Sequence, residues 1–353
     1  MSHFLTKTSN FRNFCIFIIL ILIVRQTDTI LLGSLQKSSL EKPTPLEYER
    51  LVGTYYYTWY GGVQHWWEGY TNTPKLGRYS SWYTGTANQH IRWAADNGID
   101  FFAISWLGPN SWEENALKQG FLQAKNLNYI KFCMFYETEI RIQSSSSKTF
   151  IDDVKYIAKE YFNNPQYLKI DGKPVLVLYS INTLYLSLGE EALTTVQQVR
   201  KELLDRGFDI YLIADVRGFP VEESRYDKFL SSLDAVSWYI FDTRSEWDSL
   251  LDSVNSTAKR WLEYTRSKNM DFVPSVFPGF DKTDSKLNVG HPTLDRNVER
   301  FADFCEIAVN YSAESVNVVL VSTWNEWHEG TTIEPSEEYG FNYLQVVRDV
   351  LSC

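Results

Sequence analysis

Val318-Val319-Leu320-Val321-Ser322-Thr323-Trp324-Asn325-Glu326-Trp327-His328-Glu329-Gly330 starts as an apolar run and ends as a loop carrying two carboxylic acids and an imidazole between indoles. Successive apolar residues with no alternation read as a strand buried on both faces, the kind that parallel sheets use. The carboxyl end of such a strand is where α/β proteins do their chemistry. The same grammar recurs upstream. Apolar runs at Leu51–Tyr57, Ile99–Trp106, Tyr129–Tyr136, Pro174–Ser180, Asp209–Asp215, Leu233–Ile240 and Asp271–Phe277 join Asn317–Thr323 to make eight expected strands. Between them, helical periodicity marks Ala87–Asn97, Ser111–Lys125, Thr149–Phe162, Glu190–Arg206, Glu246–Lys268 and Leu294–Val309, with a last helix near Tyr339–Leu351.

Strands that alternate with helices pair in parallel, because a parallel connection needs a crossover of about a dozen residues or more. Eight such units predict an α/β fold, a single (β/α)8 TIM-type barrel over residues 51–353. The alternative is a doubly wound open sheet; Gly61-Gly62 after the first strand lacks the form of its Gly-rich phosphate turn. A barrel gathers its functional residues just after each strand. The first strand leads through Tyr57 and Trp59 to His65-Trp66-Trp67-Glu68, the second ends at Trp106, and the third is followed by Glu137, Glu139 and Arg141. The fifth ends Asp215-Val216-Arg217, the sixth gives Tyr239 and Asp242, and the seventh gives Pro278-Gly279-Phe280-Asp281.

The segment ahead of the barrel has a different character. Lys7 and Arg12 precede an apolar run from Phe14 to Val24, which Arg25 closes. That run is shorter than the roughly 20 residues that span a bilayer and fits a signal-peptide core of roughly 7 to 15. Residues 1–36 are therefore expected to be a signal peptide or an uncleaved anchor, and residues 37–50, with Lys42-Pro43-Thr44-Pro45, a linker. Either form sends the barrel to a lumenal or extracellular space and limits membrane contact to the N-terminal segment. Beyond that segment lie Cys133, Cys305 and Cys353, too few for a disulfide scaffold. Cys133, inside an apolar run, reads as a small buried hydrophobe.

A balance of 34 basic against 44 acidic side chains, net −10, disfavours nucleic acid as a partner. Twelve Trp, 22 Tyr and 21 Phe supply flat faces with polar edges, which suit an oligosaccharide or polysaccharide. Glycoside cleavage needs one carboxylic acid to protonate the leaving oxygen and a second group beside the anomeric carbon. Glu326 and Glu329 are the expected catalytic pair, since indoles that exclude water raise a carboxyl pKa. On a solvated helix, Glu-x-x-Glu would be an ordinary surface pattern; the strand end and the flanking Trp residues change that reading. His328 pairs with one of these acids, binds sugar hydroxyls, or is a plain loop histidine. His65, Glu137 and His328 form no ordered metal-ligand motif, so neither a metal nor another cofactor is expected.

Asn325-Glu326-Trp327-His328-Glu329-Gly330-Thr331-Thr332-Ile333-Glu334-Pro335 resembles the signature of glycoside hydrolase family 99, the endo-α-1,2-mannosidases and mannanases, and of its family-99-like relatives in polysaccharide loci. Looser matches run through Gly53-Thr54-Tyr55-Tyr56-Tyr57-Thr58-Trp59-Tyr60-Gly61, Gly77-Arg78-Tyr79-Ser80-Ser81, Gly98-Ile99-Asp100-Phe101, Tyr167–Val175 and Phe277–Asp281. The resemblance implies a metal-free (β/α)8 barrel that cleaves α-mannosidic linkages inside a chain with retention. It implies Glu326 as the base that takes the proton of the sugar 2-hydroxyl, giving a 1,2-anhydro sugar, and Glu329 as general acid and then base. By the same resemblance Tyr239 lies near the reacting sugar, Trp106 is a sugar platform, and Tyr57 or Trp59 lines the pocket. Asn325, Trp327 and His328 complete the expected sugar contacts, with Glu137 and Arg141 on more distant hydroxyls. The chain departs from the pattern at Leu107, where the family often has a second Trp. It departs again at Glu137-Thr138-Glu139-Ile140-Arg141, where the family has Glu-Pro-Tyr followed by Gly-Arg. An enzyme for another surface polysaccharide and a sugar-binding barrel without catalysis are the rival expectations.

Overall fold

The computed structural model describes residues 50–352 apart from 62–64, 143–146, 217–225, 242–245, 287–289, 291 and 313. The apolar run 14–24, linker residues 37–49, Arg217 and Asp242 lie outside the described residues. Among the described residues, no helix is long and apolar enough to cross a membrane.

Eight strands form the sheet: β1 (Leu51–Tyr56), β2 (Phe101–Trp106), β3 (Lys131–Tyr136), β4 (Lys173–Leu178), β5 (Tyr211–Asp215), β6 (Ala235–Ser237), β7 in two pieces (Asp271–Phe272 and Ser275–Val276) and β8 (Val318–Val321). Neighbours pair in parallel in chain order, and β8 returns to β1 with Leu51 opposite Val318. The ring closes through β7. Its first piece pairs with β6 and its second with β8. Between them the Val273 N–H bonds the Val236 carbonyl at 2.9 Å, and the Pro274 carbonyl accepts from the Leu320 N–H at 3.0 Å. Proline has no N–H to offer a ladder, so it fits the point where the strand changes partners. All eight expected strands are present, and the arrangement fits a (β/α)8 barrel.

The strands are buried because each has helices on one side and other strand side chains on the other. At Gly53 the interior leaves no room for a side chain, since a Cβ there would stand 2.1 Å from the Phe101 ring. Helices Thr84–Ala95, Ser147–Tyr161, Glu191–Leu204, Trp247–Ser267 and Val298–Ser312 fall within a few residues of their expected places. The expected helix Ser111–Lys125 instead stops at Gln119 and is followed by a 3-10 turn, Phe121–Gln123. Gly120 explains the stop: its Cα passes so near the Ser81 carbonyl that a Cβ would lie 2.0 Å away. Two short helices directly after strands, Thr138–Ile142 and Ile181–Leu188, and a hairpin that pairs Lys169–Ile170 with β4 were not anticipated. That hairpin turns on Asp171-Gly172, both at positive φ, the Asp-Gly signature of a tight two-residue turn.

Candidate active site

β8 runs out into a loop held closed at its base. The Thr323 N–H bonds the Thr331 carbonyl and the Ile333 N–H bonds the Thr323 carbonyl, both at 2.8 Å. Inside that closure the Glu326 N–H donates to the Thr323 hydroxyl at 2.9 Å, and Trp327–Glu329 makes one 3-10 turn. Gly330 ends the turn at φ 65, with the Asp281 backbone 2.8 Å from where a Cβ would sit. The same contact joins the loop after β7 to this one, because the Asp281 N–H donates to the Glu329 carbonyl at 2.7 Å. Arg296 fastens the far side through the Gly330 carbonyl and Thr332, its guanidinium lying against the rings of both Tyr339 and Tyr343.

A polar frame behind the loop fixes its direction. Asn325 exchanges two hydrogen bonds with the Tyr57 backbone, at 2.8 and 2.9 Å, and Tyr60 donates to the Asn325 carbonyl. The Trp327 indole N–H reaches Glu334 at 3.1 Å, and Glu334 also takes the Tyr79 hydroxyl and faces His90. Asn325, Trp327, His90 and Glu334 are all buried.

On the other side of the loop the charges converge. His328 Nδ1 lies 2.5 Å from Glu326 Oε1 and 3.3 Å from Glu68 Oε2, while the other Glu68 oxygen is 2.9 Å from His65 Nδ1. Lys282, from the loop after β7, pairs with Glu329 at 2.9 Å. Glu326 is only 2% exposed. Burial is the main force pushing its carboxyl up to about 7; attraction to His328 holds it down, Glu329 pushes it further up, and Lys282 opposes that. Burial disfavours the His328 cation, yet Glu326, with Glu329 and Glu68, more than offsets this and holds the imidazole at about 9. The imidazole therefore carries its proton at neutral pH, and Glu326 changes charge close to it.

Four further residues face the same space. Glu137 accepts from the Ser105 hydroxyl at 2.7 Å; burial, against that bond and with the repulsion of Glu326, Glu139 and Glu329, raises it to about 8. Tyr57 and Tyr239 meet hydroxyl to hydroxyl at 2.7 Å. Burial and the nearby charges of Glu326 and Glu329 push both phenols well above their ordinary range, so both stay protonated donors. Trp59 stacks on Tyr57 at 4.2 Å between ring centres and on His65 at 4.6 Å.

Thus Glu326, Glu329, His328, Glu137, Tyr57, Trp59 and Tyr239 come together, brought by the loops after β1, β3, β6 and β8. Trp106 does not join them. Side chains alternate along a strand, and Ser105 points at Glu137, so Trp106 points the other way. It is fully buried, its indole N–H on Glu114 at 3.2 Å, and it has no surface for a sugar. Asn325 and Trp327 likewise serve the frame, with their polar atoms bonded to protein. Arg141 forms a two-pronged pair with Asp153, at 2.8 and 2.9 Å, and lies over the Trp106 ring. Sequence reasoning placed Glu68 after the first strand without giving it a role and missed Lys282; the rule that barrel chemistry follows the strands covered both of their loops. Among the described residues no group of three or more His, Cys, Asp or Glu side chains is arranged to hold a metal ion. A cavity of about 620 Å³ beside the helix Thr84–Ala95, lined by Asn88, Arg92, Asp96 and Tyr129, shares no residue with the site.

Residues 68–345 match glycosyl hydrolase family 99. The chain is 24% identical over 337 residues to a Rattus norvegicus protein described as glycoprotein endo-alpha-1,2-mannosidase, covering 84% of this chain and 70% of that one. Among solved structures, it resembles the GH99 endo-alpha-mannosidase from Bacteroides thetaiotaomicron in complex with BIS-TRIS-propane, with a TM-score of 0.67 at 21% identity, over 84% of this chain and 94% of that one. A glycoside hydrolase-like protein gives a TM-score of 0.69 at 21% identity, covering 90% and 98%. These two structural likenesses show a shared fold.

Proposed function

The chain belongs to glycosyl hydrolase family 99, and on that premise we propose that it is a retaining endo-acting α-mannosidase, cleaving an α-1,2-type linkage within a glycan. The observation that carries this reading is the pair Glu326 and Glu329 on one loop, each with a different charged partner, facing Tyr57 and Tyr239. In an α-mannoside O2 is axial and lies opposite the leaving group, so it can attack in line as an intramolecular nucleophile of high effective molarity. Glu326, ionised beside the His328 imidazolium, takes the O2 proton as O2 bonds to the anomeric carbon. The glycosidic bond breaks, and the proton for the leaving oxygen comes from Glu329. A water that gives its proton to Glu329 then opens the 1,2-anhydro ring from the opposite face, and O2 recovers its proton from Glu326. Two inversions return the original configuration, and no enzyme nucleophile is needed.

Glu329 Oε2 supports the acid role, because it has no protein hydrogen-bond partner while Oε1 is paired with Lys282. The relative's name, an endo-alpha-1,2-mannosidase, supports the substrate class. The apolar run 14–24 between basic residues supports action in a lumenal or extracellular space.

Glu326→Gln and Glu329→Gln should each lower kcat on an α-mannan oligosaccharide by two orders of magnitude or more, roughly what loss of an acid or base costs. Circular dichroism should be unchanged. NMR of the first product should show the α anomer. Full activity in either variant removes that residue's role, a β product removes retention, and saturable binding without any product makes the barrel a sugar-binding one.

A further inference from the structure

The geometry points to Glu68 as a positioning residue that holds His328 as an imidazolium and thereby keeps Glu326 an ionised base. This rests on the reading of Glu326 given above. Glu68 ends the 3-10 turn Trp66–Glu68 in the loop after β1 and is almost fully buried. Its charged neighbours at pairing distance among the described residues are two histidines, His65 and His328. The loop after β7 fixes it from outside, because the Lys286 N–H donates to the Glu68 carbonyl at 2.5 Å. The next residue, Gly69, packs so closely that a Cβ would lie 2.3 Å from the Asp284 carbonyl. Glu68 is thus a side chain that the cleavage steps do not use, held in place by two loops with one oxygen 3.3 Å from His328 Nδ1.

That nitrogen also faces Glu326. One proton shared by the two groups can rest on the imidazole, leaving Glu326 a carboxylate, or on Glu326, leaving neutral imidazole. Only the first arrangement provides a base for the sugar 2-hydroxyl. A second negative charge on the same nitrogen favours the first, since an opposite charge within about 4–6 Å stabilises the ionised form. Glu68 also acts later in the cycle. When Glu326 takes the O2 proton its charge disappears, and the imidazolium would lose its counter-charge if Glu326 were its sole partner. Glu68 remains beside it, because the cleavage steps do not use it. The other groups around His328 are Glu329 on its own loop, His65 and the Trp59 ring from the loop after β1, and Lys282, paired with Glu329, from the loop after β7. Glu329 adds to the effect of Glu68 when it is ionised, after it has given its proton to the leaving oxygen, and Lys282 works against it.

The test uses the full-length chain with labelled imidazoles. The five histidines are few enough to resolve by NMR, and His328→Gln assigns the signal. In the wild type, His328 should titrate above the ordinary histidine range. In Glu68→Gln its midpoint should fall by about one pH unit or more, roughly the effect of losing one nearby charge. Glu68→Asp, which keeps the charge but withdraws it, should shift the midpoint less in the same direction. On an α-mannosyl substrate Glu68→Gln should lower kcat about ten-fold with KM within about three-fold, and the acid limb of the rate profile, which reports the ionised base, should move to higher pH, as for a group acting in the transition state. A wild-type midpoint at or below the ordinary value overturns the proposal. So does an unmoved His328 midpoint in Glu68→Gln, or slower turnover with an unchanged pH profile. The NMR reading needs no turnover, so a chain that cleaves no mannan would sink the mannosidase reading while leaving this one decidable.

Discussion

Glu137, Glu326 and His328 all hold a proton more tightly in the fold than in the free chain, and this has a direct thermodynamic consequence. Glu137 rises from 4.5 to about 8, Glu326 from 4.5 to about 7 and His328 from 6.5 to about 9. Between each pair of values the native state binds more protons than the unfolded state, so stability falls as pH rises. For the carboxyls the loss begins above about 4.5; the His328 contribution is complete below about 6.5 and is lost through about 9. The melting temperature of the free protein should therefore decline from pH 5 to pH 9. Glu137→Gln, which keeps the shape and the Ser105 contact without the charge, should recover part of that decline at pH 9 and change little at pH 5. An equal shift at both pH values would show that Glu137 is not the titrating group. Glu326, His328 and Glu329 were legible in the sequence because four consecutive residues at one strand end hold all three. The role of Glu68 and the presence of Lys282 were not, because only folding brings their separate loops to the acids. Trp106 was placed in the pocket by resemblance, although the two-residue period of its strand, read from Ser105, turns it outward.

At the level of elements, apolar runs and crossover spacing were enough to recover all eight strands of the ring, since strands buried on both faces write themselves as unbroken apolar stretches. What the pattern could not contain were contacts that stop or bend an element from outside. Gly120 ends its helix because another loop's carbonyl crosses there, and Thr138–Ile142 is too short to show a period. Gly53 is the same kind of feature inside the barrel: in the sequence it is a weak strand residue, in the fold a necessary gap beside Phe101. Gly53→Ala should destabilise the barrel by about 1–3 kcal/mol, the usual cost of overpacking a filled core. Phe101→Leu should also destabilise it by leaving space. If the contact is the cause, the double variant should lose less than the two single losses added together, because contacting residues fail additivity. Strictly additive losses in urea unfolding would place the cost of Gly53→Ala elsewhere.

For the whole molecule, the decisive property is that no single element owns the site. Glu68, Trp59 and Tyr57 follow β1, Glu137 follows β3, Tyr239 follows β6, Lys282 follows β7, and Glu326 to Glu329 follow β8, so the charges meet only when the ring is closed. Closure depends on β7, whose two pieces bind different neighbours, and on the tie between the Asp281 N–H and the Glu329 carbonyl. The eight-fold alternation in the sequence implied a ring; the change of partner at Val273 and Pro274 did not show, because a split strand reads as one apolar run. Such a ring has no half-formed state that keeps the site, since opening it at any strand separates the acid loop from the groups that set its charge. Mannan cleavage and far-UV ellipticity should accordingly be lost together in a urea titration, with one midpoint and one slope, as for a single cooperative unit. Activity that disappears at clearly lower urea than ellipticity would mean that the mouth loops come apart on an intact barrel. The site would then be a separate layer, and the coupling of charge to closure argued here would be wrong.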